Sequence, residues 1–266
     1  MRNLLITGAG GFIGSHLGTV LAEQPISNYD IVAWDRRSMG DLLLQQNRER
    51  VLNTERPQAV LHLAWSSTDS DYYQEDPSNA LWGQASSSFL SECLHRGIRF
   101  MAIGSAADLP GDPAFDSPYS TAKRRFRMAF EKVQESGEVT WLRPQYIVSF
   151  EDERPRVVRA YLQTQPEDTF TMDRPEAELD FIHVVDVASG IRVAVENGVV
   201  GVVELGSGSL HSVSELIAAA ERWYSDSAVT SQHSSRPRPS FNGSAVLAQL
   251  GWRPARTQAL FADTPT

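Results

Sequence analysis

Short apolar runs alternate with longer stretches of helical period over the first 140 or so residues. Leu4-Leu5-Ile6, Ile31-Val32-Ala33-Trp34, Ala59-Val60-Leu61-His62-Leu63, Phe100-Met101-Ala102-Ile103 and Val139-Thr140-Trp141-Leu142 predict buried strands. Residues 12–23, 41–54, 72–96 and 120–136 carry apolar positions at helical spacing, and Gly97 is placed to end the third of these helices. The strands are near-continuously apolar, as a sheet covered on both faces requires, and their alternation with helices makes them parallel. The predicted class is α/β, with a doubly wound parallel sheet.

After Pro144 the rhythm breaks. Residues 150–180 are rich in charge and carry Pro155, Pro166 and Pro175. Alternation returns with Phe181-Ile182, a helix over 184–196 and the apolar run Val202-Val203-Glu204-Leu205. A further helix is expected over 213–223, and residues 231–240 read as a polar, proline-rich loop. The expected organisation is a larger α/β domain from residues 1–144 and 180–205, and a small second lobe from 145–179 and 206–266.

Composition narrows the setting. The chain has 266 residues, 41% hydrophobic and 21% charged, with a net charge of −9. That is a globular composition, and its acidity argues against a broad nucleic-acid surface. The apolar runs are strand-sized, so no membrane span and no signal peptide are expected. The single cysteine, Cys93, excludes an internal disulfide framework, and the six histidines show no metal-ligand spacing. No metal is expected, and the location expected is the cytoplasm.

The first strand runs into Thr7-Gly8-Ala9-Gly10-Gly11-Phe12-Ile13-Gly14. Ile13 breaks the strict G-x-G-x-x-G form, but Gly8, Gly11 and Gly14 satisfy G-x-x-G-x-x-G. Glycines between a first strand and an amphipathic helix allow a tight turn and let a pyrophosphate approach the backbone. The helix N-terminus then supplies amide donors. The fold expected is therefore Rossmann-type, with Gly8, Gly11, Phe12, Ile13 and Gly14 at the cofactor. Asp35 follows the second strand and can accept hydrogen bonds from ribose hydroxyls, which favours NAD. Arg36 follows directly and can instead hold a 2′-phosphate, so the cofactor expected is NAD or NADP.

Tyr119 and Lys123 lie four residues apart and share one helix face. A phenol, with an ordinary pKa of about 10, becomes a useful proton carrier near neutrality when an ammonium stabilises its phenolate. Ser105 lies just past the fourth strand, at the sheet end where open α/β folds bind ligands, and its hydroxyl can serve the same substrate oxygen. Trp65 and residues 66–73 follow the third strand and are candidates for the site border.

These motifs resemble those of the extended short-chain dehydrogenases/reductases, the NAD-dependent epimerase/dehydratase family that acts mostly on nucleotide sugars. The resemblance is carried by the glycine turn, Leu61-His62-Leu63-Ala64, Ser105, Tyr119/Lys123 and Leu142-Arg143-Pro144. It continues through Leu179-Asp180-Phe181-Ile182-His183-Val184-Val185-Asp186-Val187, Leu205-Gly206-Ser207-Gly208 and Leu250-Gly251-Trp252-Arg253-Pro254. It implies that Tyr119 is the general acid/base, that Lys123 tunes it and holds the nicotinamide ribose, and that Ser105 orients the reacting oxygen. Leu63, Ala64 and Pro144 would line the cofactor, and Arg143 and Arg236 would bind substrate. The implied partner is a nucleotide sugar, with no nucleic acid and no membrane, and the family's helix-mediated homodimer is compatible with the chain.

The chain departs from the family pattern in ways that bear on the reaction. Ala106 and Ala107 stand where sugar 4,6-dehydratases carry an Asp-Glu pair, so water elimination lacks its acid and base. The family's asparagine in the long fourth helix is replaced, with Trp82 near its place. The reading is an NAD(P)-dependent 4-ketoreductase of deoxysugar synthesis. The alternatives are a nucleotide-sugar 4-epimerase that retains its NAD, and a non-catalytic dinucleotide sensor that would have no use for Ser105, Tyr119 and Lys123 together.

Overall fold

A computed structural model describes residues 2–66, 76–109, 117–135, 138–152, 156–164, 171, 174–225, 238–239 and 243–262. The elements run β1 (Arg2–Thr7), α1 (Phe12–Glu23), β2 (Tyr29–Ala33), α2 (Arg36–Met39), α3 (Gln45–Glu55), β3 (Ala59–His62), α4 (Asn79–His95) and β4 (Arg99–Ile103). A 3₁₀ turn (Ala106–Asp108), α5 (Pro118–Glu131), β5 (Val139–Pro144), β6 (Tyr146–Val148), α6 (Arg156–Gln163), β7 (Glu178–Leu179), β8 (Phe181–His183) and α7 (Val184–Glu196) follow. The rest are β9 (Gly201–Leu205), β10 (Ser209–Ser212), α8 (Val213–Ser225), β11 (Arg238–Pro239), α9 (Ala245–Gln249) and α10 (Ala255–Phe261).

The principal sheet has six strands in the order β2-β1-β3-β4-β5-β9, a Rossmann-like arrangement. β1 pairs in parallel with both β2 and β3, and β3–β4 and β4–β5 are parallel as well. The chain therefore leaves β1 first to one side and then to the other, and the crevice opens at the C-terminal ends of β1 and β3.

The chain divides into two compact units. The first comprises residues 1–143 and 191–203. Its core packs Leu5, Val60, Phe89, Phe100, Phe126, Phe130 and Trp141, all at most 1% exposed. The second comprises residues 144–190 and 204–266, with a core that includes Val148, Phe150, Val158, Phe181 and Leu216. Two small sheets, β11-β10-β7 and β6-β8, belong to the second unit.

Local chemistry sets several boundaries. The helix expected over 41–54 starts only at Gln45, because the Asp41 carboxylate takes the Leu43 N–H (3.0 Å) and holds Leu42–Leu44 in a turn. α5 starts at Pro118 rather than 120, behind a capping box in which Ser117 and Ser120 exchange side-chain-to-backbone bonds. α6 was not expected from the charged, proline-bearing stretch, yet it buries Val158 completely.

Candidate active site

The glycine turn exists because only glycine fits it. Gly8 has φ +71°, and a Cβ there would lie 2.7 Å from the Ala64 nitrogen. A Cβ on Gly14 would lie 2.2 Å from the Gly8 carbonyl oxygen. Gly10 meets nothing within 4 Å, so it is not sterically required. The Gly11 N–H closes the turn on the Gly8 carbonyl at 3.0 Å. Gly11, which has no side chain, caps α1 without a side-chain bond, and half-buried Phe12 and Ile13 follow. A turn with a glycine-lined backbone face and amides ahead of a helix fits a dinucleotide pyrophosphate. The close approach of Gly8 places Leu63 and Ala64 against the turn.

Behind the turn runs a buried relay. The Ala64 N–H donates to Thr7 Oγ1 (3.3 Å), Thr7 Oγ1 meets His62 Nδ1 (2.8 Å), and His62 Nε2 meets Ser86 Oγ of α4 (2.9 Å). A neutral imidazole, with one donor and one acceptor nitrogen, satisfies both contacts. Burial first, then the charges of Lys123 and Arg48, depress the His62 pKa to about 3.

Asp35 is exposed and caps α2, accepting from the Arg37 N–H (3.0 Å) and Ser38 Oγ (3.0 Å). The Arg37 backbone bond is the main reason its carboxyl lies below the ordinary value. Arg36 reaches Asp41 at 2.7 Å, an exposed pair.

α5 carries the predicted Tyr119 and Lys123. Lys123 is 2% exposed; its Nζ donates to the Ile103 carbonyl (3.1 Å) and lies 5.8 Å from the centre of the Tyr119 ring. Burial lowers its pKa to about 7, against the opposing pull of the Asp108 charge. Tyr119 is half-buried. Ser105 stands two residues beyond Ile103, so one strand end sets both the lysine's acceptor and the serine. Ser105 Oγ caps the 3₁₀ turn by accepting the Ala107 N–H at 3.2 Å.

Three residues that the sequence reading did not assign, or left as candidates, complete this wall. The Trp65 ring lies 3.8 Å under Lys123 Nζ and edge-on to Tyr119 at 6.1 Å. Asn79, buried at the start of α4, accepts the Trp65 indole N–H at 2.7 Å. Asp108 is 1% exposed and accepts from the Ser105 N–H (3.2 Å), Trp141 Nε1 (2.8 Å) and Arg143 Nε (2.9 Å). The Ser105-x-x-Asp108 spacing is a capping-box signature and was the available sequence signal for that acid. Gly104 is dictated by the same cluster, because a Cβ there would lie 2.2 Å from Trp141 Nε1.

Arg143, expected to bind substrate, is 4% exposed, and its Nε–H donates to the buried Asp108 carboxylate. A buried acid needs such a partner, and it draws the guanidinium inward. Pro144 ends β5. Arg236 lies outside the described residues, as do 67–73 of the candidate border. Among the described residues no group of three or more His, Cys, Asp or Glu could hold a metal, and no helix is long and apolar enough to cross a membrane.

The fold recurs in solved structures. A Thermotoga maritima UDP-glucose 4-epimerase with UDP-glucose superposes with TM-score 0.68 at 22% identity, over 98% of this chain and 97% of that one. The UDP-glucose 4-epimerase of Thermus thermophilus, in complex with NAD, gives 0.63 at 20% identity over 96% and 94%. A dTDP-4-dehydrorhamnose reductase from Clostridium acetobutylicum gives 0.66 at 16% identity over 83% and 80%. No curated protein matches the chain. The sequence profile of one family covers residues 4–206, well over half of the chain, which belongs to the NAD dependent epimerase/dehydratase family of enzymes.

Proposed function

We propose that the chain is an NAD(P)-dependent oxidoreductase of a nucleotide-diphosphate sugar, and within that class a cytoplasmic 4-ketoreductase of deoxysugar synthesis. The observation that carries the reading is the phenol of Tyr119 one helical turn from the buried ammonium of Lys123, beside the strand end that bears Ser105. The glycine turn would hold the dinucleotide, whose reduced nicotinamide would supply the hydride for the C4 carbonyl and leave oxidised. Tyr119 gives its proton to the oxygen that becomes the alcohol, the Lys123 ammonium stabilises the phenolate that remains, and the Ser105 hydroxyl orients that oxygen. The glycine turn holds the pyrophosphate, and exposed Asp35 accepts from the adenosine ribose. Residues 145–179 and 206–266, with Arg236, serve the sugar nucleotide.

A dehydratase is disfavoured on the residues present. Ala106 and Ala107 carry no acid, and Asp108, the next carboxylate, is committed to Trp141 and Arg143. A 4-epimerase is the second reading, favoured by the near-complete coverage of the Thermotoga and Thermus epimerases. The two differ in cofactor economy. A ketoreductase exchanges its cofactor each cycle, whereas an epimerase recovers it within each turnover. Denaturing the purified protein and weighing any released dinucleotide by mass spectrometry separates them. An empty site that oxidises NADH or NADPH in the presence of a 4-keto nucleotide sugar supports the ketoreductase. Stoichiometric bound NAD⁺, with no net consumption of reduced cofactor, supports the epimerase.

A further inference from the structure

The ammonium of Lys123 has no carboxylate at hydrogen-bond distance among the described residues. It is nearly inaccessible, its Nζ donates to the Ile103 carbonyl, and the face of Trp65 lies 3.8 Å from it. The charged and titratable groups around it are Asp108 on the 3₁₀ turn, His62 on β3 and Tyr119 on its own helix. His62 is held neutral by burial, and Asp108 is engaged by Trp141 and Arg143. An indole face attracts a cation through its quadrupole, and the attraction grows where water is excluded. Trp65 is itself fixed. Its N–H is bonded to Asn79, and its ring stacks on Phe126 with 26° between planes. The sequence places this tryptophan one residue past Ala64, against the cofactor turn, where an ordinary border residue would be expected to face solvent.

We propose that Trp65 is a positioning residue for Lys123: its ring, anchored by Asn79, takes the place of a counter-ion and keeps the buried ammonium charged beside Tyr119. The proposal rests on the reading of Lys123 as the partner of Tyr119, and adds the group that makes the lysine competent for it. Without the ring, the same burial favours the neutral amine, and a neutral amine does not stabilise a phenolate.

The chain offers a direct test because it has only two lysines, Lys123 and Lys132. Protein labelled with ¹³C and ¹⁵N at lysine gives two side-chain signals, assigned with Lys132→Arg, and exposed Lys132 is the internal control. The Lys123 midpoint is expected to fall by about one pH unit in Trp65→Leu, which keeps apolar bulk but removes the ring face. Trp65→Phe is expected to fall less. Site-specific incorporation of a fluorinated tryptophan at position 65 alone, which leaves Trp141 on Asp108 unaltered, weakens the ring's negative face at almost constant shape, so it reads the same effect even where Trp65→Leu does not fold. A lower Lys123 midpoint with Lys132 unmoved supports the proposal. An unchanged or raised Lys123 midpoint in the fluorinated protein overturns it. The readout needs no substrate, so a protein that titrates as stated but turns over no nucleotide sugar keeps this inference and refutes the functional one.

Discussion

A carboxylate as deeply buried as that of Asp108 is tolerable only when its lone pairs and its charge are both answered. Here Ser105 N–H, Trp141 Nε1–H and Arg143 Nε–H do so. Asp108→Asn keeps the shape and removes the charge that faces the buried Arg143 guanidinium. Unfolding by denaturant should show a loss of about 3–5 kcal/mol; a loss below about 1 kcal/mol would mean that the pair is not what holds this strand end. Lys123 poses the opposite problem, a buried cation whose folded pKa is about 7 against an unfolded value of about 10.4. Between those values the unfolded chain binds more protons, so this residue makes stability rise with pH. Lys123→Met should therefore be more stable than the parent, with the largest difference below pH 7 and a shrinking one toward pH 10. Parallel melts across that range that kept a constant gap would contradict the assignment. The local patterns of Ser105, Tyr119 and Lys123 were legible in the sequence because spacing and strand ends mark them. Asp108 and Asn79 were not, since only the tertiary packing that buries them gives them partners.

At the scale of elements, the site depends on α4 lying close to α5. A Cβ on Gly83 would sit 3.2 Å from Ala122 of α5, a distance that a larger side chain cannot keep. Gly83→Val should force the helices apart, cost about 1–3 kcal/mol, and reduce turnover more than dinucleotide affinity, because Tyr119 and Lys123 ride on α5 while the glycine turn does not. Isothermal titration beside steady-state kinetics reads both; equal losses in the two would count against this division. The His62 relay links β1, β3 and α4. Its folded pKa of about 3 lies below the ordinary 6.5, so the unfolded state takes up the proton first and stability is lost as pH falls from about 6.5 toward 3. His62→Gln should lose less over that interval in acid-dependent melts, and a steeper loss would refute the relay's role. The strands were readable because buried parallel strands are apolar along their whole length. Helix starts were less so, as the Asp41 turn at Leu42–Leu44 shows, because a side chain competing for one backbone N–H shifts a boundary without disturbing the apolar pattern.

The whole molecule is an acidic chain of 266 residues whose strand order places the ends of β1 and β3 at a switch point, and the glycine turn stands at that point. That much follows from a pattern of apolar runs and three glycines. The sugar is not legible in the same way, because the segments expected to recognise it, Arg236 among them, carry no comparable periodicity and specificity resides in loop side chains. The central claim is that the chain uses its dinucleotide for chemistry, with Tyr119 as the proton carrier, rather than binding it as a signal. The most direct measurement is Tyr119→Phe, assayed for turnover of 4-keto nucleotide sugars and, in parallel, for dinucleotide affinity. The account predicts turnover reduced by at least about 100-fold, the usual scale for losing a general acid, with dinucleotide affinity changed by less than a few-fold. Undiminished turnover in that variant, with the protein folded and the cofactor bound, would contradict it.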